Sequence, residues 1–250
     1  MRTLVVIPTY NEAESIAGLI EHVLAARQDI DALVVDDGSP DGTADIVRKA
    51  MAGEARLHLL ERTAKEGLGA AYRAGFRWGL ARDYDALVEM DADLSHPPER
   101  LPALLDGLAD ADLVIGSRYV PGGRTVNWSR LREAISRGGN AYVRLALRVP
   151  VHDCTAGYRA YRRAVLEELP VESVRSNGYC FQVEMVHKAW QEGFAVVEVP
   201  ITFTERASGV SKMSKQIVAE ALARVTQWAL TGGRRRAREH HPRSVVRAAG

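Results

Sequence analysis

An α/β domain with a mostly parallel central sheet is what this sequence predicts, and three observations carry the prediction. Over the first 120 residues, short apolar runs rich in β-branched side chains alternate with stretches of helical periodicity. That alternation gives a sheet covered by helices on both faces. The runs are continuous rather than alternating, as expected of strands buried on both sides. The chain's 250 residues, 46% hydrophobic and 26% charged, suit one large soluble domain.

Taken in order, residues 4–7 form the first buried strand. A helix over 12–26 follows, opened by Asn11 with Glu14 three residues on, a capping-box arrangement. Residues 32–35 are the second strand. Ser39-Pro40 then predicts a helix N-cap with proline at the first helical position. Residues 57–60 are the third strand, and 68–81 a helix with apolar positions at 68, 72, 76 and 80. Runs at 86–90 and 113–115 complete the series. Beyond Gly116 the alternation stops. Residues 128–148 and 178–191 read as helices, 195–203 as extended, and 213–230 as an amphipathic C-terminal helix ended by Gly232-Gly233.

Composition excludes several classes. Two cysteines, Cys154 and Cys180, make no disulfide framework and suit a reducing, cytosolic setting. Pro8, Asn11 and Glu12 interrupt the first apolar run too early for a signal peptide. No uncharged apolar stretch reaches the roughly 18 residues of a membrane span, so membrane contact is expected to be peripheral or made through an anchoring partner protein. Charge is uneven. Residues 234–250 hold six arginines against Glu239, leaving 27 basic and 31 acidic side chains in residues 1–233. The basic tail is expected to be disordered. It lacks the interleaved aromatics of a nucleic-acid surface, so nucleic acid is not an expected partner.

The chemistry sits where strands end. Strand one runs into Pro8-Thr9-Tyr10-Asn11-Glu12, strand two into Asp36-Asp37-Gly38-Ser39, and strand four into Asp91-Ala92-Asp93. In open parallel sheets, ligands bind beyond the carboxyl ends of strands. Packing has no need of acidic residues there, and their mutual repulsion calls for a cation or donor groups. Two carboxylates two residues apart in extended chain share a side, so Asp91 and Asp93 can reach one hard divalent ion whose other ligands are phosphates and water. The competing reading is a turn whose aspartates cap the helix starting near Pro97. Asp36 and Asp37 face the same choice between a nucleoside contact and a turn. The glycine-rich loop 65–69 opens a helix but completes no phosphate-binding fingerprint. A second set of residues is basic: Arg118, Arg132 and Arg137 around Ser136, then Arg206 and Lys212. Arginine forks and lysine point charges suit phosphate oxygens.

In this order the stretches VVIPTYNE (5–12), VVDDGSPDGT (34–43), GLGAAY (67–72), MDADLSHPPE (90–99), GSRY (116–119), ISRGGN (135–140), DCTAGYRAYRR (153–163), GYCFQVEM (178–185), VPITFTER (199–206) and GVSKM (209–213) resemble family two glycosyltransferases. Within that family they resemble the polyprenyl-phosphate mannosyltransferase group. The resemblance implies a Rossmann-like GT-A fold over residues 1–232, with a nucleotide-sugar half to about 120, an acceptor half beyond it, and the tail 233–250 outside. It implies that Pro8, Tyr10, Glu12, Val35 and Asp37 hold the donor nucleoside. Asp91, Ala92 and Asp93 would hold Mg²⁺ or Mn²⁺ and the diphosphate, with Arg206 and Lys212 closing over the phosphates. Arg118, Arg132 and Ser136 would meet the acceptor phosphate, beside a site carboxylate at Asp153. Asp91, Asp93 and Arg118 are then the catalytic group. Some relatives carry glutamine where this chain has Ser95, which leaves Ser95 between direct ligation and contact through water. Other relatives have C-terminal membrane helices that this chain lacks.

The implied reaction moves mannose from GDP-mannose to a polyprenyl monophosphate, at the cytoplasmic face of a membrane. Close relatives use other donors such as UDP-glucose, and nothing in the spacing separates them. A non-catalytic sugar-nucleotide-binding module shares most of these residues and stays open. A phosphohydrolase with an Asp-x-Asp nucleophile needs a later acidic cluster, and after Asp112 the only aspartate is Asp153. The apolar stripe at 213–229 with Trp228 reads either as a membrane-lying face or as packing on the protein's own core.

Overall fold

The computed structural model describes residues 1–169, 171–174, 176, 178–205 and 215–232, with Ser173 and residues 215–221 as backbone only. Arg206, Lys212, the Lys215 side chain and the tail 233–250 lie outside the described residues.

Seven strands form the main sheet: β1 (Thr3–Thr9), β2 (Ile30–Asp36), β3 (Leu57–Glu61), β4 (Ala86–Glu89), β5 (Leu113–Ser117), β7 (Arg159–Arg162) and β8 (Val196–Pro200), in the order β3-β2-β1-β4-β7-β5-β8. All neighbouring pairs are parallel except β4–β7 and β7–β5. A separate parallel pair joins β6 (Arg124–Val126) to β9 (Thr202–Thr204). The helices are α1 (Ile16–Ala26), α2 (Thr43–Met51), α3 (Leu68–Leu80), α4 (Leu101–Gly107), α5 (Arg130–Leu147), α6 (Arg163–Glu168), α7 (Tyr179–Gln191) and α8 (Lys215–Thr231).

Strand periodicity divides the core. Leu4, Val6, Leu33 and Val35 pack on one face with residues of α3, α5, α7 and α8, while Val5, Ile7, Ala32 and Val34 pack on the other with those of α1 and α4. Helix α3 lies unusually close to the sheet. A Cβ at Gly75 would fall 2.3 Å from a Val6 methyl, and one at Gly79 2.5 Å from a Leu87 methyl. Only glycine permits that approach.

The chain steps outward from β1 to β3 and then returns to β4 on the other side of β1. Such a reversal opens a crevice at the carboxyl ends of the two central strands. The segments bearing Tyr10 and Glu12, and Asp91 and Asp93, both leave from it.

Two local expectations are corrected. Helix α1 starts at Ile16 after Ser15, with no side-chain cap. Asn11 instead adopts φ 60° and donates its N–H to Ser39 Oγ at 3.0 Å. Ser39 caps no helix either: α2 starts at Thr43 after Gly42 at φ 88°, and the Ser39 hydroxyl donates to Asp36. In both places a contact between the β1 and β2 turns outweighs a local cap. Of the two readings of the α8 stripe, packing on the protein's own core holds for Val225, at 1% exposure, and for Trp228, which lies against His187. Helix α5 begins where expected, with Ser129 Oγ accepting from the Arg132 N–H.

Candidate active site

The turn after β2 is built by Asp36, whose carboxylate accepts from Thr9 Oγ1, Ser39 Oγ and the N–H groups of Gly38 and Ser39 at 2.5–3.1 Å. Four donors leave Asp36 a structural part. Asp37 sits beside it with a 6% exposed side chain and pairs with Arg62 at 2.7 Å. Burial pushes its carboxyl up, against the pull of Arg62. Tyr10 lies half-buried under the Lys65 ammonium, 3.7 Å from its ring centre. Glu12 donates its N–H to Thr43 Oγ1 and accepts from Ser15 Oγ. Pro8 is half-buried and in register with Val35. The Val35 side chain is at 0% exposure, packed toward Gly75. Its methyls belong to the core, so only its backbone is left for a donor.

After β4 the chain turns, with Leu94 at φ 60°. Asp91 and Asp93 therefore stand on a turn beyond the strand rather than in extended chain. Asp91 Oδ1 accepts from the Tyr72 hydroxyl at 3.0 Å, reaching across from α3. The Asp91 N–H donates to His96 Nδ1 at 3.0 Å, and His96 stacks on Tyr158. Gly157 gives His96 room: a Cβ there would lie 3.3 Å from its Cε1. Ala92 is buried at 3%, so its methyl, like that of Val35, packs inward. Ser95, 2% exposed, donates its hydroxyl and N–H to Asp93 Oδ1 at 2.5 and 3.1 Å. The hydroxyl holds Asp93 in place. Two residues before Asp91, burial pushes the Glu89 carboxyl up to about 7.

These donors fit a divalent ion completed by substrate. Both carboxylates are only partly covered, Asp91 at 32% exposure. Among the described residues no cluster of three or more acidic, histidine or cysteine side chains forms a cage. Mg²⁺ and Mn²⁺ suit a pair of carboxylates when phosphate oxygens supply the rest of the shell.

Across the cleft, Arg118 follows β5 and is 5% exposed. Its guanidinium makes a fork on Asp153, Nε to Oδ2 at 2.7 Å and an Nη to Oδ1 at 2.5 Å, and also reaches Thr155 Oγ1. The Arg118 N–H adds a third bond to the same carboxylate. Burial works against charge on Asp153, yet Arg118 outweighs it and holds the carboxyl below its ordinary range. Behind the pair, Glu198, 0% exposed, accepts from the N–H groups of His152 and Asp153 at 2.8 and 2.9 Å. Glu198 thus sets the segment that aims Asp153 at Arg118. The guanidinium carbon of Arg118 lies 5.2–5.5 Å from the rings of Tyr119, Trp128 and Phe203. Arg132 covers Trp128 at 4.2 Å and pairs with Glu205. Ser136 Oγ accepts from the Tyr119 hydroxyl at 2.6 Å.

Phe203 joins the two sets: His96, which accepts from the Asp91 N–H, meets its ring edge-on at 5.9 Å, and the Arg118 guanidinium carbon lies 5.5 Å from the same ring. The phenol of Tyr179, at the start of α7, is pushed up by desolvation first and then by the charge of Asp91. The structure thus brings together the carboxylates after β4 and the arginines after β5 and on α5. Tyr72, His96, Tyr119, Tyr179 and Glu198 belong to the site without having been singled out from sequence. Position 72 counted only as one of α3's apolar positions, and an aromatic hydroxyl there was the available signal.

Residues 4–170 match the model of Glycosyl transferase family 2. The chain is 55% identical over 239 residues to polyprenol monophosphomannose synthase of Mycolicibacterium smegmatis, covering 95% of this chain and 90% of that protein. It is 53% identical over 230 residues to undecaprenyl-phosphate mannosyltransferase of Micrococcus luteus, covering 92% and 95%. Among solved structures, a Pyrobaculum calidifontis mannosyltransferase in complex with GDP-Man and Mn²⁺ superposes with a TM-score of 0.63 at 19% identity, over 94% of this chain and 66% of that one. Glucosyl-3-phosphoglycerate synthase of Mycobacterium tuberculosis, in complex with Mn²⁺, UDP and phosphoglyceric acid, gives 0.67 at 22% identity over 89% and 78%. Those two likenesses concern the fold. With a family match over more than half its length and relatives above half identity over nearly all of it, this chain belongs to glycosyl transferase family 2.

Proposed function

We propose that the chain transfers mannose from GDP-mannose to a polyprenyl monophosphate with inversion, releasing GDP. The observation that carries this is the meeting, through His96 and Phe203, of the carboxylate pair after β4 with the Arg118 guanidinium after β5. A nucleoside diphosphate and a second phosphate need that combination. The names of the two relatives above half identity supply the sugar and the lipid class.

Asp91 and Asp93 hold Mg²⁺ or Mn²⁺, held in turn by Tyr72 and Ser95. When bound, the ion offsets the charge that develops on the departing diphosphate. Tyr10, Glu12 and Asp37, with the backbone at Pro8 and Val35, line the nucleoside side. Arg206 and Lys212 complete the phosphate contacts. Arg118, aimed by Asp153, meets the acceptor phosphate together with Arg132 and Ser136 and fixes its line of attack. A phosphate oxygen forms the new bond to the anomeric carbon as the bond to the diphosphate breaks, through an oxocarbenium-like state. That oxygen is already anionic near neutral pH, so no general base is needed. One displacement converts an α-linked donor into a β-linked lipid.

No helix among the described residues is long and apolar enough to cross a membrane, and we place the enzyme peripherally at the cytoplasmic face. Incubation with a panel of sugar nucleotides, Mn²⁺ and a polyprenyl monophosphate, followed by mass analysis of the lipid, tests the assignment. A hexose added from GDP-mannose is the expected result. Transfer from UDP-glucose alone would replace the donor, and no product from any donor would leave a binding module.

A further inference from the structure

Ser136 is tied to the rest of the site separately through its backbone and through its side chain. Its carbonyl accepts from Asn140 Nδ2 at 3.0 Å, one turn along α5. Asn140 is 2% exposed and grips Thr155, its Nδ2 donating to Thr155 Oγ1 at 3.1 Å and its Oδ1 accepting the Thr155 N–H at 3.3 Å. Thr155 Oγ1 also accepts from an Nη of Arg118. The backbone of this turn is therefore fixed to the Arg118–Asp153 pair without help from the Ser136 hydroxyl. That hydroxyl has a partner of its own. Tyr119, next in the chain after Arg118, donates its O–H to Ser136 Oγ at 2.6 Å. The Tyr119 ring is half-buried and lies near two guanidinium carbons, that of Arg118 at 5.2 Å and that of Arg137 at 4.5 Å. Burial pushes its phenol up, so it remains a donor through the neutral range.

We propose that Tyr119 is a positioning residue of the acceptor side, setting the direction in which Ser136 donates. A serine hydroxyl carries one hydrogen and two lone pairs. Inside a helix it can turn that hydrogen back onto the carbonyl four residues earlier. With one lone pair of Ser136 taken by Tyr119, the hydrogen is left on the side away from the phenol, for a ligand oxygen. Arg118 is prepared in a matching way. Its bonds to Asp153 and Thr155 use Nε and one Nη and leave the other Nη for a ligand. Tyr119 bridges the two donors, its ring beside Arg118 and its hydroxyl on Ser136, and so sets both toward the oxygens of one phosphate. The role rests on the transferase reading, which supplies that phosphate.

The test compares Y119F, S136A and Y119F/S136A in transfer to a short-chain polyprenyl monophosphate, with KM and kcat measured for each substrate. Y119F keeps the ring and its arginine neighbours and removes only the hydroxyl. Its KM for the acceptor should rise about tenfold, as for one weakened hydrogen bond to a charged group. KM for the sugar nucleotide and kcat should move far less. Y119F/S136A should be no worse than S136A alone, because without the serine hydroxyl the phenol has nothing to direct. An unchanged acceptor KM in Y119F would overturn the proposal. So would additive losses in the double variant, or a joint fall in melting temperature and kcat, either of which would make Tyr119 a support of the fold alone. No transfer by the wild type to any polyprenyl phosphate would instead remove the reaction itself, and this role with it.

Discussion

At the carboxyl end of β4 the Asp91 side chain keeps 32% of its surface in solvent, while across the cleft those of Arg118 and Asp153 are 6% and 0% exposed. Asp91 accepts from the Tyr72 hydroxyl, and Asp93 from the hydroxyl and N–H of its near neighbour Ser95. Arg118 is locked by three bonds to one carboxylate, and the segment carrying that carboxylate is held from behind by Glu198. A buried ion pair gains little net stability, because desolvation offsets the attraction, but it fixes direction. Open carboxylates fix less and stay hydrated until a cation and phosphates arrive. The donor side is thus completed by its ligand, and the acceptor side is built in advance.

Three substitutions would break or sharpen that contrast. The largest effect is expected from Asp93→Ala: transfer should fall about 10³-fold or more while the thermal midpoint stays near wild type. Initial rates with labelled donor check it, and comparable turnover at saturating Mg²⁺ would remove the contrast. Asp153→Asn should instead cost stability, about 3 kcal/mol, by leaving Arg118 buried without its counter-charge. Asp153 is held below its ordinary range in the folded chain. Its contribution is therefore present above the unfolded value of about 4 and fades as pH falls through the lower folded value. Urea unfolding of both proteins should show a gap that is widest near neutral pH and narrows in acid. The smallest effect belongs to Ser95→Ala, which frees Asp93 without removing it. The Mn²⁺ concentration for half-maximal rate should rise about tenfold, with the rate at saturating metal nearly restored.

Much of this was legible because strands buried on both faces announce themselves as apolar runs, as β1, β2, β4 and β5 did; the half-buried edge strand β3 was read from its three leucines. Strand β7 did not. Its sequence Arg-Ala-Tyr-Arg carries no such run, and Arg159 is buried at 0% because the carbonyls of Ala156, Cys154 and Gln182 accept its N–H groups. Full satisfaction by backbone is a tertiary property that a hydrophobic pattern cannot report. The same limit explains the caps. Asn11 and Ser39 have the chemistry of N-caps, but they meet each other across two turns 28 residues apart. For the site, carboxylates and arginines after strand ends were readable one by one. The pairing of Arg118 with Asp153 depends on the segment that Glu198 holds, and the placing of Tyr72 on the packing of α3 at Gly75 and Gly79.

Calorimetric titration of GDP-mannose into the purified protein, with and without Mn²⁺, tests the claim that the β4 carboxylates take up the donor through a cation. The account predicts saturable heat with metal and none without it. Equal affinity in the presence of a chelator would contradict it.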